Sequence, residues 1–185
     1  MPESLVPQDG RLLIAEPFLG DPNFERSVIL LCEHTEKGSF GLVLNQISNL
    51  KLQDVIDDVF MEFPVYVGGP VEYNTLHYIH RLGDLIPDSV PLGNNLYWSG
   101  NFEAIKTMIN IGKIVGNDIR FFLGYSGWGE GQLDSEINKN SWVVSETEAD
   151  IVFESSPKEF WRKVLRNMGG SYKIMSNYPT DPRLN

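Results

Sequence analysis

The stretch that most constrains the fold runs from Gly124 to Trp142, GYSGWGEGQLDSEINKNSW. Gly124, Gly127, Gly129 and Gly131 fall within eight positions, with Tyr125 and Trp128 between them. Glycine allows φ > 0 and close backbone approach, at a cost in chain entropy. Four so close together imply a specific structural return. Ile119-Arg120-Phe121-Phe122-Leu123 before them is a β-type run. Leu133 and Ile137 after them are spaced i, i+4. The stretch therefore predicts strand, glycine-rich turn, a helix from Glu130 to about Asn138, and a strand opening at Trp142.

Two glycine motifs with known chemistry do not fit. A phosphate-binding loop needs Lys and then Ser or Thr after its last glycine, and Glu130-Gly131 stands there instead. A nucleophile elbow needs glycine two residues either side of its serine. Gly124 meets that requirement for Ser126, but Trp128 occupies the second position. Free N–H groups at a helix start can hold an anion. Glu130 and Asp134 already supply negative charge to this one.

The rest of the chain is consistent with one domain of 185 residues, long enough to bury a sizeable core. Its first ten residues and those from about 171 onward read as loose or docked tails. A formal charge of −10 disfavours a broad phosphate-binding face. Cys32 is the only cysteine, which excludes an intrachain disulfide and suits a reducing, cytoplasmic setting. Residues 1–10 do not resemble a signal peptide, and no apolar run reaches membrane-spanning length. No membrane association is expected.

Strands are predicted at Leu12–Ala15, Ser27–Cys32, Pro64–Val67, Thr75–His80, Leu96–Trp98, Trp142–Val144 and Ile151–Phe153. Gly38–Asn45 reads as a turn and strand forming a hairpin with Ser27–Cys32. Leu52, Val55, Ile56, Val59 and Phe60 mark an amphipathic helix. Phe102, Ile105 and Ile109 mark a second, after Asn101. Ser156-Pro157-Lys158-Glu159 reads as a capping box opening a third, stopped by Gly169-Gly170. With the helix after Glu130, about four helices flank a mixed, mostly antiparallel sheet. The fold class is α+β.

Chemical candidates are sparse. Cys32 and His34 share one face of a strand end, the arrangement of a thiol with its base or half a metal site. No second cluster is spaced to complete a zinc site, so no metal or cofactor is expected. Cys32 reads as a small buried hydrophobe. Lys158, Arg162 and Arg166 form a basic stripe, which Glu159–Lys163 pairing makes an ordinary solvated face. Arg26, Asn45, Gln132, Glu136 and Trp142 lie at or beside strand, helix and loop boundaries, and Gly68-Gly69-Pro70 reads as a tight turn.

Together these segments resemble the YqgE/AlgH family of bacterial proteins. The resemblance rests on Phe24 with Arg26-Ser27-Val28, on Glu33-His34, and on Gly41-Leu42-Val43-Leu44-Asn45. It continues through Val67-Gly68-Gly69-Pro70-Val71 and Leu76-His77. It closes with Gly124-Tyr125-Ser126-Gly127-Trp128, Gly131-Gln132-Leu133, Glu136 and Trp142. Ser126 stands where the family often has alanine, and Glu130 where a proline or small residue is frequent. The resemblance implies a cytoplasmic α+β protein with a barrel-like sheet core. It implies no particular reaction, and some members carry the label of transcriptional regulator. No DNA-binding module is recognisable here, and the charge has the wrong sign for one.

The expectation is a non-enzymatic binding or regulatory module whose partner, a protein or small molecule, is unknown. Gly68-Gly69-Pro70 should lie close to Gly127-Trp128 and Gln132. Arg26, Asn45, His77, Gly131, Glu136 and Trp142 should line the same surface. The alternative is an enzyme using His34 or His77 with Cys32, Ser126 or a carboxylate.

Overall fold

The computed structural model describes residues 5–184. Its centre is a long strand where the sequence predicted a turn. Strand β9 runs from Ile119 to Gly129 without interruption, so three of the four glycines lie inside it. Numbered in chain order, the strands before it are β1 (Leu12–Ala15), β2 (Val28–Thr35), β3 (Gly38–Val43), β4 (Ile47–Lys51), β5 (Pro64–Val67), β6 (Val71–His80), β7 (Val90–Gly93) and β8 (Leu96–Trp98). After it comes β10 (Trp142–Ser145).

β9 works as a spine. Its first half pairs with β6 and, in parallel, with β5; its last four residues pair with β3 instead. The change of partner falls between Leu123, the last residue paired with β5, and Ser126, the first paired with β3, and Gly124 within that step holds φ 72. A side chain there would be strained, and its Cβ would fall 2.6 Å from the Gly69 carbonyl oxygen. Side-chain alternation slips at the same place. Phe122 and Tyr125, three residues apart, face one core cluster, while Trp128 faces another. The glycines therefore let one strand bend and join two ladders.

The ladder order is β10-β1-β2-β3-β9-β6-β8-β7, with β4 and β5 to the side. All pairs are antiparallel except β5 with β9. The α+β expectation holds, but the expected barrel does not form. β10 and β7 stand at opposite ends of the order and share no ladder. The β7–β8 turn meets the other end through a side chain, with Asn94 Nδ2 donating to the Thr147 carbonyl at 2.8 Å.

Among the described residues six α-helices, α1 (Leu52–Val55), α2 (Phe102–Asn110), α3 (Gln132–Asn138), α4 (Ala149–Glu154), α5 (Pro157–Met168) and α6 (Gly170–Met175), flank the sheet where about four were expected. The helix predicted over 52–60 stops at Val55, and Phe60 is 80% exposed. Asp58 takes φ 63, and the backbone leaves the helix to donate from Phe60 N to Asn110 Oδ1. The predicted strand at Ile151–Phe153 is part of α4, which buries Ala149, Val152 and Phe153. That i, i+3, i+4 spacing suits a helix, and a three-residue apolar run does not separate the two states. α3 begins at Gln132, so Glu130 lies outside it.

Three apolar clusters form the core. One, beneath α4 and α5, gathers Leu30, Leu42, Phe122, Phe160 and Trp161. A second, beneath α2, gathers Phe63, Ile105, Ile109 and Phe121. The third, beneath α3, holds Leu13, Ile29, Trp128, Leu133 and Trp142. Each fully buried Leu, Ile or Phe contributes roughly 1.5–3 kcal/mol from transfer out of water.

The C-terminal tail is docked over the described residues. Arg26 Nη2 donates to the Tyr178 carbonyl, and Arg162 Nη1 to that of Ser176. Phe18 stacks on Tyr178. Near the N-terminus, Gly10 N donates to the Leu31 carbonyl and Asp9 Oδ1 accepts from His34 N. The tail positions 1–4 and 185 lie outside the described residues.

Candidate functional site

The site is assembled by α3 and the two strands it connects. Gly131 adopts φ 66 and turns the chain from β9 into the helix. Leu133 and Ile137 pack inward on the third cluster. Gln132 and Glu136, four residues apart, share a neighbouring face of the helix. Trp128 from β9 and Trp142 from β10 flank it.

Glu136 is the hub. Its Oε2 accepts from Trp128 Nε1 at 2.9 Å and from Trp142 Nε1 at 2.8 Å. Its Oε1 accepts from Gln132 Nε2 at 3.0 Å. Gln132 Oε1 accepts in turn from Gly129 N at 3.0 Å. An indole N–H can only donate, so each tryptophan needs an acceptor once buried. One carboxylate supplies both, and hydrogen bonds to an ionised acceptor are the stronger kind. The indoles meet edge to face at 6.1 Å, and Phe24 meets Trp142 the same way at 5.7 Å.

Beside this clamp lies a hollow of about 360 Å³, lined by Leu19, Phe24, Gly127, Trp128, Lys139 and Trp142 with Gln132 and Glu136. Phe24, Trp128 and Trp142 are its aromatic walls, the rest of the lining is mostly polar, and opposite charges, Asp21 and Lys139, stand in it. Trp128 is 6% exposed and Trp142 4%, so each presents only an edge.

The other expected site residues are distributed differently. Gly68 and Gly69 press against β9 one step earlier: a Cβ on Gly69 would fall 2.2 Å from the Tyr125 carbonyl oxygen and 2.4 Å from Ser126 Oγ. Pro70 follows as the chain enters β6. Gly68-Gly69-Pro70 thus abuts the strand that carries Gly127 and Trp128, but does not line the hollow. Asn45 ties a loop, its Oδ1 accepting from Val28 N and its Nδ2 donating to the Arg26 carbonyl, each at 2.9 Å. Arg26, at φ 51, places its guanidinium 4.6 Å over the Trp161 ring. Burial and the neighbouring Arg162 lower its pKa from the ordinary value.

His77 belongs to a separate aromatic group. Its ring lies 5.1 Å from Phe40 and 5.8 Å from Tyr125, and Phe40 also contacts Trp98. Phe40, Trp98 and Tyr125 pack against the first core cluster, not the third that holds Trp128. His77 Nε2 is buried without a hydrogen-bond partner, and burial lowers its pKa. His77, expected on one surface with Trp128, instead packs against Phe40 and Tyr125, while Trp128 belongs to the third cluster. Leu19, Phe24 and Lys139 were not singled out as lining residues, and no local spacing marks them.

The groups named for an enzymatic alternative do not form a constellation. Cys32 Sγ is buried and donates weakly to the Leu30 carbonyl, and burial pushes its thiol well above the usual range. His34 Nδ1 pairs with Ser39 Oγ at 2.7 Å. Ser126 Oγ is buried and donates to the Gly68 carbonyl at 3.1 Å. Among the described residues no three His, Cys, Asp or Glu side chains are grouped to hold a metal ion. None of the helices described is long and apolar enough to cross a membrane.

The basic stripe on α5 is broken: Arg162 reaches back to the Ser176 carbonyl. The expected Glu159–Lys163 pair is replaced by Lys163 Nζ donating to Ser155 Oγ. The expected capping box is also absent, since the Ser156 side chain makes no capping bond.

The fold and sequence both have relatives. The chain is 46% identical over 178 residues to a UPF0301 protein of Cytophaga hutchinsonii, covering 95% of this chain and 98% of that one. It is 45% identical over 184 residues to a UPF0301 protein of Parabacteroides distasonis, covering 98% and 93%. The solution structure of the AlgH protein from Pseudomonas aeruginosa superposes with TM-score 0.73 at 28% identity, covering 97% of this chain and 96% of that one. A crystal structure of a Corynebacterium diphtheriae protein gives TM-score 0.79 at 26% identity, with 95% of each chain covered. The AlgH-like model, DUF179, matches residues 12–173, which takes in both strands of the indole clamp and the helix between them, and the chain belongs to that family.

Proposed function

We propose that this protein is a non-enzymatic, cytoplasmic binding module with a regulatory role, which recognises a protein segment or small ligand at the Trp128–Trp142 hollow. The observation that carries the reading is the Glu136 clamp, which fixes two indoles and Gln132 beside a hollow of mixed aromatic and polar lining. Rigid aromatic walls lose little entropy when a partner docks, and such residues supply much of the binding energy at interfaces. Because Oε2 serves both indoles and Oε1 serves Gln132, the carboxylate acts in this reading as a support for the walls. Direct DNA contact is disfavoured by the formal charge of −10 and by the diversion of Arg162 into the tail.

The test compares wild type with Phe24→Ala/Gln132→Ala, which alters one half-buried wall and one exposed amide. Both proteins are immobilised and exposed to cell lysate, and retained proteins and small molecules are identified by mass spectrometry. The expected result is a component held by wild type and lost by the variant, at equal helicity by circular dichroism. An identical retained set for both proteins would remove this hollow as the binding surface.

A further inference from the structure

A second cleft, of about 630 Å³, lies where β9 meets the α4–α5 junction, with Tyr66, Asn117, Arg120, Phe153, Ser155 and Ser156 in its lining. Arg120 is only 9% exposed there. Its guanidinium sits 4.5 Å over Tyr66 and 6.0 Å from the Phe153 ring. It donates to the Leu44 carbonyl at 3.5 Å and the Phe153 carbonyl at 3.3 Å, both long contacts. Among the described residues it makes no ion pair. Glu154 also lines the cleft, but Arg81 engages its carboxylate at 3.3 Å.

Burial lowers the Arg120 pKa, yet a guanidinium remains charged in a protein. A buried charge is ordinarily matched by an opposite one. Here the matching charge is missing and open space adjoins the cation. The twelve-residue helix α5 also starts at this cleft. Its N-cap Ser156 makes no capping bond, which leaves first-turn N–H groups without a side-chain acceptor there, although Glu159 in the first turn already complements the dipole. Ser155 in the lining accepts from Lys163 Nζ at 3.1 Å, but Lys163 itself does not line the cleft.

We infer that this cleft binds the oxyanionic group of a small metabolite, a carboxylate or phosphate, with Arg120 as its buried counter-charge and the α5 N-terminus as its second anchor. The site is separate from the Trp128–Trp142 hollow and stands or falls independently of it.

The experiment titrates the full chain with sodium phosphate and, separately, with sodium acetate, against sodium chloride at matched ionic strength. Thermal unfolding and amide chemical shifts are the readouts. A saturable rise in Tm of about 5 °C, with shifts centred on residues 117–120 and 155–158, is expected from one or both anions. Phosphate alone would mark a phosphate-bearing ligand and acetate alone a carboxylate. Arg120→Met should abolish the response, and a buried charge replaced by an apolar side chain commonly leaves the fold intact. Should that variant fail to fold, Asn117→Asp, at an exposed lining position, should weaken binding roughly tenfold by repulsion. A response no greater than that in chloride, or one undiminished in a folded variant, would overturn the assignment.

Discussion

Replacing Glu136 by alanine tests the architecture of the site most directly. The substitution removes the shared acceptor from Trp128 Nε1 and Trp142 Nε1 and the partner of Gln132 Nε2. Hydrogen bonds to a charged group contribute about 1.5–3 kcal/mol each, so two indole bonds set an upper figure of about 3–6 kcal/mol. Gln132 is exposed and its amide can return to water, so its bond adds little. Glu136 is itself half-buried, and water entering the vacated space would partly satisfy the indoles. The expected loss is therefore roughly 2–4 kcal/mol. For a chain of this size that lowers Tm by about 4–16 °C.

Urea unfolding followed by circular dichroism should show a lower midpoint with unchanged slope. A double-mutant cycle with Trp142→Phe, which removes the N–H and keeps most of the ring, isolates one bond. The coupling should be at least about 1 kcal/mol. A Glu136→Ala loss below about 0.5 kcal/mol, typical of an ordinary surface substitution, would refute the hub. So would strict additivity with Trp142→Phe.

Three further outcomes follow from the same geometry. Gly69→Ala should cost at least about 2 kcal/mol, because its Cβ meets backbone at a φ of 154, whereas Gly116→Ala, facing open space, should stay within about 0.5 kcal/mol; paired urea curves decide this. Native Cys32 should resist a thiol reagent at neutral pH and react only on unfolding, since burial disfavours its thiolate; rapid labelling of the folded protein would contradict this. His77 and His80 have folded pKa values below 6.5, so the unfolded chain binds protons first and stability falls as pH drops below about 6.5 towards those lowered values. His77→Phe, which keeps the aromatic contacts, should flatten that acid limb; an unchanged pH profile would rule His77 out as a contributor.

How much of this was legible can be judged residue by residue. The α2 helix carries its own signals: Asn101 Oδ1 accepts from Ala104 N, and Ile105 and Ile109 are buried as their spacing requires. The β2–β3 hairpin was readable from its continuous apolar run and the glycine that follows. Local pattern failed where the information was not local. Glycines in β9 looked like a turn because glycine favours turns, but Gly124 is demanded inside the strand by the Gly69 and Val71 carbonyls, which a Cβ there would meet at 2.6 and 3.0 Å. Val59 and Phe60 continued a helical spacing that Asp58 and Asn110 interrupt. For the site, Trp128, Gln132, Glu136 and Trp142 were identified together, but Arg26, Asn45 and His77 do not join them.

Sequence alone determined that the chain is α+β, that residues 124–142 organise it, and that it carries a formal charge of −10. Those conclusions depend on side-chain period, glycine placement and net charge, which are properties of the chain before it folds. Only the tertiary structure decided that one carboxylate holds two indoles, that the sheet stays open, and that Arg120 is buried without a counter-charge. Each of these depends on residues far apart in the chain meeting at hydrogen-bond or ring-contact distance, and side-chain spacing along a strand or helix does not encode which distant groups will meet.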